Sequence, residues 1–220
     1  MDKQNLLKRS ISGLALAAIF LISVFLYRPI FYILIYLVAA LMLFEWYSMT
    51  KNGEKIIYNF IGQILITVPI SSILIISNID TQGWVLLTLF MCISAVDIMA
   101  MFGGKLIGGI KLAPQISPNK TISGFLTGII SACIVINLLT LIPGYQLPGM
   151  LHKNHFFLSL YILLLGMIAQ ASDLLISYFK RKFKIKDTGT IIPGHGGALD
   201  RFDSIILTAP LVLLYLINNL

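Results

Sequence analysis

A chain of 220 residues that is 58% hydrophobic and 11% charged, with a mean hydropathy of +0.92, cannot be an ordinary soluble domain, in which about a quarter of residues are charged. The deficit lies in long uncharged runs, so the composition reads as an all-α, polytopic integral membrane protein with a single membrane-embedded domain over residues 1–220. The formal charge of +7 would suggest nucleic acid in a soluble protein; here no nucleic acid is expected, because basic residues collect in cytoplasmic loops against anionic lipid.

The N-terminus has a basic start and an apolar run, but no small-residue cleavage signal follows, and Arg28-Pro29 leads directly into another apolar run. It reads as an anchor. About 20 apolar residues are needed to span a bilayer, and seven segments qualify: Ser10–Tyr27, Ile30–Ser48, Ile56–Ser77, Trp84–Phe102, Phe125–Pro143, Phe156–Phe179 and Phe202–Asn218. Pro69 and Pro210 fall inside the third and the last. Cys92 and Cys133 sit in apolar runs without pairing or metal-ligand spacing and are expected to be buried and reduced.

With the N-terminus placed in the cytoplasm, the inside segments hold Lys3, Lys8, Arg9, Lys51, Lys55, Lys105, Lys111, Lys120, Lys180, Arg181, Lys182, Lys184, Lys186 and Arg201. The outside segments hold only Arg28 and Lys153, so fourteen of sixteen basic residues share one side. Glu45, Asp97 and Asp173 then lie near cytoplasmic helix ends, with Asp200 and Asp203 at the start of the last helix. Carboxylates within spans are costly and face a protein interior or a watery cavity, so five on one face locate a site. This predicts two polar cytoplasmic loops forming that site at the cell's inner (plasma) membrane.

The first loop, from Gly103 to Gly124, contains Gly103-Gly104, Gly108-Gly109 and Ser117-Pro118-Asn119-Lys120-Thr121. Paired glycines suit an anion-cradling loop, and Lys120 and Thr121 precede a helix N-terminus that favours phosphate. The same residues suit a plain turn with Thr121 or Ser123 as a helix cap, and the loop alone does not choose.

The second loop lies in Ser177–Asp203 and carries six of the sixteen basic and three of the nine acidic residues. Lys180, Arg181 and Lys186 could clamp phosphate oxygens, whereas Lys182 and Lys184 suit a solvated, positive-inside turn. His195, in Gly194-His195-Gly196-Gly197, could donate to a phosphate, although a lone histidine more often ties a loop down. Asp200 and Asp203 share one face of a helical turn, where acids are common caps. No cap explains Asp173. Asp173 with Asp200 makes a hard, oxygen-rich pair suited to Mg²⁺ bound alongside substrate phosphates, which argues for metal-assisted chemistry on a phosphate-bearing compound.

The run Ser177-x-Phe179-Lys180-Arg181-x4-Lys186-Asp187-x-Gly189-x2-Ile192-Pro193-x-His195-Gly196-Gly197-x2-Asp200-Arg201-Phe202-Asp203 closely resembles the signature of the phosphatidate cytidylyltransferases, the CDP-diacylglycerol synthases. Ser117–Thr121 resembles that family's Ser-Pro-x-Lys-Thr motif, with Asp97 and the Gly103–Gly109 stretch upstream; Leu7–Gly13 fits its start more weakly. The chain departs from the family at Ala198, where a larger aliphatic residue is usual, and at Ser123, where glutamate is usual. It is also shorter than typical members, by about a span.

The resemblance implies transfer of CMP from CTP to phosphatidate, giving CDP-diacylglycerol and pyrophosphate, on the cytoplasmic face of the membrane. It implies Asp173 and Asp200 as Mg²⁺ ligands, with Asp203 and Asp97 as support or a further ligand, and leaves room for a second cation. Lys180, Arg181, Lys186 and Arg201 become candidates for the triphosphate and the lipid phosphate. Ser117, Lys120, Thr121, His195, Gly196 and Gly197 become substrate contacts. The partners are CTP, phosphatidate and membrane lipids, with a homodimer as the candidate assembly. Three alternatives stand beside this reading. A CDP-alcohol phosphotransferase lacks its Asp-Gly…Ala-Arg…Gly…Asp…Asp pattern here; a CTP-dependent polyprenol or phytol kinase would be separated by substrate; a transporter for a phosphorylated solute would bury its charges near mid-bilayer.

Overall fold

The computed structural model describes residues 19–51, 56–189 and 196–219. Its helices are α1 (residues 19–25), α2 (Arg28–Thr50), α3 (Ile56–Ile79), α4 (Trp84–Leu106), α5 (Ile122–Leu139), α6 (Met150–Lys153), α7 (His155–Lys182), α8 (Leu199–Phe202) and α9 (Ile205–Ile217). Five of them, α2, α3, α4, α5 and α7, are long and apolar enough to cross a bilayer, which makes the chain a multi-pass membrane protein. Of the seven expected segments, half of the first falls outside the described residues, and the last is the shorter apolar α9. Among the described residues the two strands are an antiparallel pair, β1 (Lys111–Ala113) and β2 (Ser117–Thr121), joining α4 to α5.

Close helix packing depends on small residues at crossing points. Gly124 and Gly128, one turn apart on α5, press against α4: added Cβ atoms would lie 2.5 Å from the Ala100 carbonyl and 2.7 Å from that of Val96. Thr127 and Ser131 donate across the same seam to the carbonyls of Met99 and Ala95, both at 3.2 Å. This seam carries Asp97 on α4 and sets Lys120, just ahead of α5, against α7. Between α2 and α3, the Trp46 indole lies over Gly62 and donates to the Tyr58 carbonyl at 2.8 Å.

Three expected boundaries move. Gly103, Gly104 and Lys105 belong to α4 and not to the first loop, because Gly103 packs against Thr127 and Gly104 against Thr121. Lys180, Arg181 and Lys182 are the last turn of α7 and not loop residues; cations at a helix C-terminus are favoured by its dipole, and Lys180 is held by an ion pair. The expected single helix from Phe202 onward is instead α8 and α9, broken at Asp203-Ser204. Ser172 of α7 spans that break: its hydroxyl donates to the Asp203 carbonyl and accepts from the Leu207 amide at 3.2 Å.

The far end of the bundle is fastened separately. Asp80 accepts from the amides of Gly83 (3.1 Å) and Val85 (2.7 Å) at the start of α4, while Arg28 donates to the Asp80 carbonyl at 3.1 Å. Burial pushes the Asp80 carboxyl up, and these amides oppose the shift.

Candidate active site

One end of the bundle gathers the carboxylates of α2, α4, α7 and the α8–α9 turn, as the charge pattern predicts. Asp173 lies one and a half turns before the end of the apolar part of α7. Its Oδ2 is 2.6 Å from Lys120 Nζ, which also donates to Gln170 Oε1 at 2.9 Å, and its Oδ1 accepts from Ser177 at 3.3 Å. Gln170, one turn before Asp173 and itself buried, was not singled out from the sequence; its i, i+3 spacing from Asp173 was the available signal.

Asp200 forms the second pair. Its Oδ1 takes Lys180 Nζ at 2.7 Å, and both side chains are about 10% exposed. Its Oδ2 accepts from the Thr188 amide (2.8 Å) and the Gly197 amide (3.1 Å), and the Thr188 hydroxyl oxygen lies 3.1 Å away. Burial by itself would raise this carboxyl; the bonds from Lys180, Thr188 and Gly197 outweigh it and hold Asp200 below the usual carboxylate range. Gly196 has φ +83°, a left-handed conformation that favours glycine and turns the next amide toward Asp200. Thr188, buried and bonded to Asp200, is a second site residue that sequence reasoning missed, since a threonine in a polar loop carries no signal of its own.

Asp203 sits at the helix break, buried, beside Asp173 and within electrostatic reach of Asp97. Burial, then these two acids, push its carboxyl well above the usual range. Asp97 is accessible on α4, and Lys120 and Arg201 are the cations within its reach. Arg201 and Lys186 are exposed. Arg181 bridges the two loops, donating to the carbonyls of Ile116 (3.1 Å) and Ile185 (3.0 Å). Ser117 opens β2, partly covered. His195 lies outside the described residues. Lys182 rests over the Tyr58 ring, 4.8 Å from its centroid, as suits a bystander.

Thr121 is committed to capping α5: its hydroxyl accepts the Gly124 amide at 3.1 Å and pairs with Ser123 at 3.0 Å. Ser123 in turn donates to the Gly108 carbonyl, tying the glycine turn down where the family's glutamate is missing. Thr121→Ala is expected to lower stability by about 1 kcal/mol, the usual worth of a cap. Thermal denaturation in detergent reads this, and an unshifted midpoint would remove the cap from the account.

The donor set suits a divalent cation carried in with a substrate. Among the described residues, no group of three or more His, Cys, Asp or Glu side chains is placed to close on an ion by itself. Mg²⁺ needs only one or two carboxylates with phosphate oxygens and water. Two aspartates here are each neutralised by a lysine ammonium, the charge such a cation would supply.

Fold and site thus define a multi-pass membrane protein with lysine–aspartate pairs gathered at one end of its bundle. The chain matches the Cytidylyltransferase family over residues 50–218 and belongs to it. It is similar to the phosphatidate cytidylyltransferase of Rickettsia bellii (strain RML369-C), with 49% identity over 219 residues, covering 100% of this chain and 93% of that protein. The protein of the same name from Rickettsia felis (strain ATCC VR-1525 / URRWXCal2) is 50% identical over 211 residues, covering 96% and 92%. That of Bacillus subtilis (strain 168) is 34% identical over 179 residues, covering 79% of this chain and 64% of its own length.

Proposed function

We propose that this chain transfers CMP from CTP to phosphatidate, giving CDP-diacylglycerol and pyrophosphate in phospholipid biosynthesis. The observation that carries the reading is the Lys120–Asp173 and Lys180–Asp200 pairs at one end of an apolar bundle, in a chain of the cytidylyltransferase family. An oxygen of the lipid phosphate attacks the α-phosphorus of CTP, and the bond from that phosphorus to the oxygen bridging it to the β-phosphate breaks. Such transfers depend on positioning and on neutralising charge.

Lys120 and Lys180 supply two cations beside the acids. As the triphosphate enters, they turn from their aspartates to phosphate oxygens, which leaves two carboxylates free. Asp173 and Asp200, with Asp97 and Asp203 beside them, would hold Mg²⁺, which supplies charge neutralisation at the transferring phosphorus; a second cation would share the same acids. Exposed Arg201 and Lys186 receive the lipid phosphate, and Ser117 contacts phosphate from the first loop. Arg181 holds the two loops in register for this exchange.

The site faces the cytoplasm from the cell's inner membrane; the fourteen-to-two division of basic residues supports that orientation. A homodimer is the assembly we propose, to be read from mass photometry in detergent. Membranes carrying the protein should convert phosphatidate and labelled CTP into CDP-diacylglycerol, lose the activity to a chelator and regain it with added Mg²⁺. No CTP-dependent product from any lipid phosphate would refute the function. A phosphorylated lipid alcohol as product would establish the kinase reading instead.

A further inference from the structure

Glu45 is 1% exposed in the last turns of α2, and it precedes residue 50, where the family match begins. A buried carboxylate is costly unless hydrogen-bonded, and among the described residues the donors to this one come from the second loop. Its Oε1 accepts the Ala198 amide at 2.8 Å; its Oε2 accepts the Leu199 amide and the Thr188 hydroxyl, both at 2.9 Å. The Thr188 hydroxyl is the same one that lies 3.1 Å from Asp200 Oδ2. The bare backbone of the loop is matched to this carboxylate: a Cβ on Gly197 would lie 2.4 Å from Glu45 Oε2, and one on Gly189 would lie 2.9 Å from Oε1.

We infer that Glu45 is a positioning residue for the transfer reaction. It fixes the amides of residues 198 and 199 and, through Thr188, whose hydroxyl donates to it and whose amide donates to Asp200 at 2.8 Å, sets the orientation of the Asp200 carboxylate against Lys180. Helix α2 therefore belongs to the catalytic unit. The inference rests on cytidylyl transfer by this site. Glutamine at position 45 keeps the size but points an N–H at converging donors, so it breaks the chain without opening a cavity.

The test compares Glu45→Gln, Glu45→Asp, Thr188→Val and the Glu45→Gln/Thr188→Val double variant, by kinetics with CTP and phosphatidate and by hydrogen exchange of the purified proteins. Glu45→Gln should lower kcat roughly 10- to 100-fold, as loss of a partner behind a working ligand does. Its KM for phosphatidate should stay within about twofold, because Glu45 is buried and closed off from an incoming substrate by the loop it holds. The amides of residues 188, 198 and 199 should exchange faster, and Glu45→Asp, which keeps both acceptor oxygens, should recover part of the rate. Adding Thr188→Val should cost little more, since both changes cut one chain. Wild-type kcat and exchange in Glu45→Gln would overturn the inference, as would a rate loss that only tracks the folded fraction with strictly additive Thr188→Val effects. If the wild type makes no CDP-diacylglycerol, the functional reading fails, and the exchange comparison still decides whether Glu45 holds the loop.

Discussion

Asp173→Asn should reduce CMP transfer by roughly 10³-fold or more, the upper range for removing one electrostatic element from a reacting centre. The substitution is isosteric at a partly open position, where the Asp173 side chain is 23% exposed, so the bundle should still fold. What it removes is charge. Lys120 loses its carboxylate partner but keeps Gln170, so the lysine stays near its place while the acid that should take the cation is gone. Asp203 loses the nearest like charge that raises it and titrates closer to the ordinary carboxylate range. The measurement pairs the labelled-CTP assay with a denaturation curve in detergent. Full activity in a folded Asp173→Asn protein would take Asp173 out of the cation site.

Asp200→Asn should abolish activity and also destabilise the protein. Here the pair is about 10% exposed on both sides, and breaking it leaves Lys180 without its counter-charge in a largely buried place. Losses from breaking buried pairs run from about 3 to 5 kcal/mol. An asparagine amide would also face the amides of Thr188 and Gly197 or give up the Lys180 contact, because one side chain then has a single acceptor oxygen for three donors. The pH dependence follows in sign. Asp200 is held below its ordinary range in the folded state, so its contribution is complete above that range and is lost as pH falls through the lower folded value. Stability should therefore fall in acid for the wild type more steeply than for Asp200→Asn, with no Asp200-dependent change near neutral pH. Equal acid sensitivity in both would contradict the pairing.

The site was largely legible as a set of residues and poorly legible as a set of contacts. Asp97, Asp173, Asp200 and Asp203 stand out because a bilayer tolerates few carboxylates, and the alternation of basic residues puts them at one end. Lys180 and Arg181 were read as loop because they follow the apolar run, yet hydropathy marks where a helix leaves lipid and not where it ends. Gly103 and Gly104 were placed in a loop, as an anion cradle or a plain turn, because paired glycines serve loops and tight helix crossings alike, and only the positions of Thr127 and Thr121 separate the two. Ala198 proved compatible with its place: its amide is used by Glu45 and its side chain is buried against the core.

The sequence by itself determined that this is an apolar, multi-span chain whose basic residues divide unevenly between its polar segments, and its signature motif named the family. These are properties of composition and spacing, which a bilayer reads directly as transfer free energy along the chain. Only the tertiary structure decided which lysine meets which aspartate, that the last helix breaks at Asp203, and that Glu45 of α2 holds a loop more than 140 residues away. Such contacts depend on how each helix is rotated about its axis and how closely its glycines let a neighbour approach. Neither quantity is written in a linear run of apolar residues; both emerge when the helices pack.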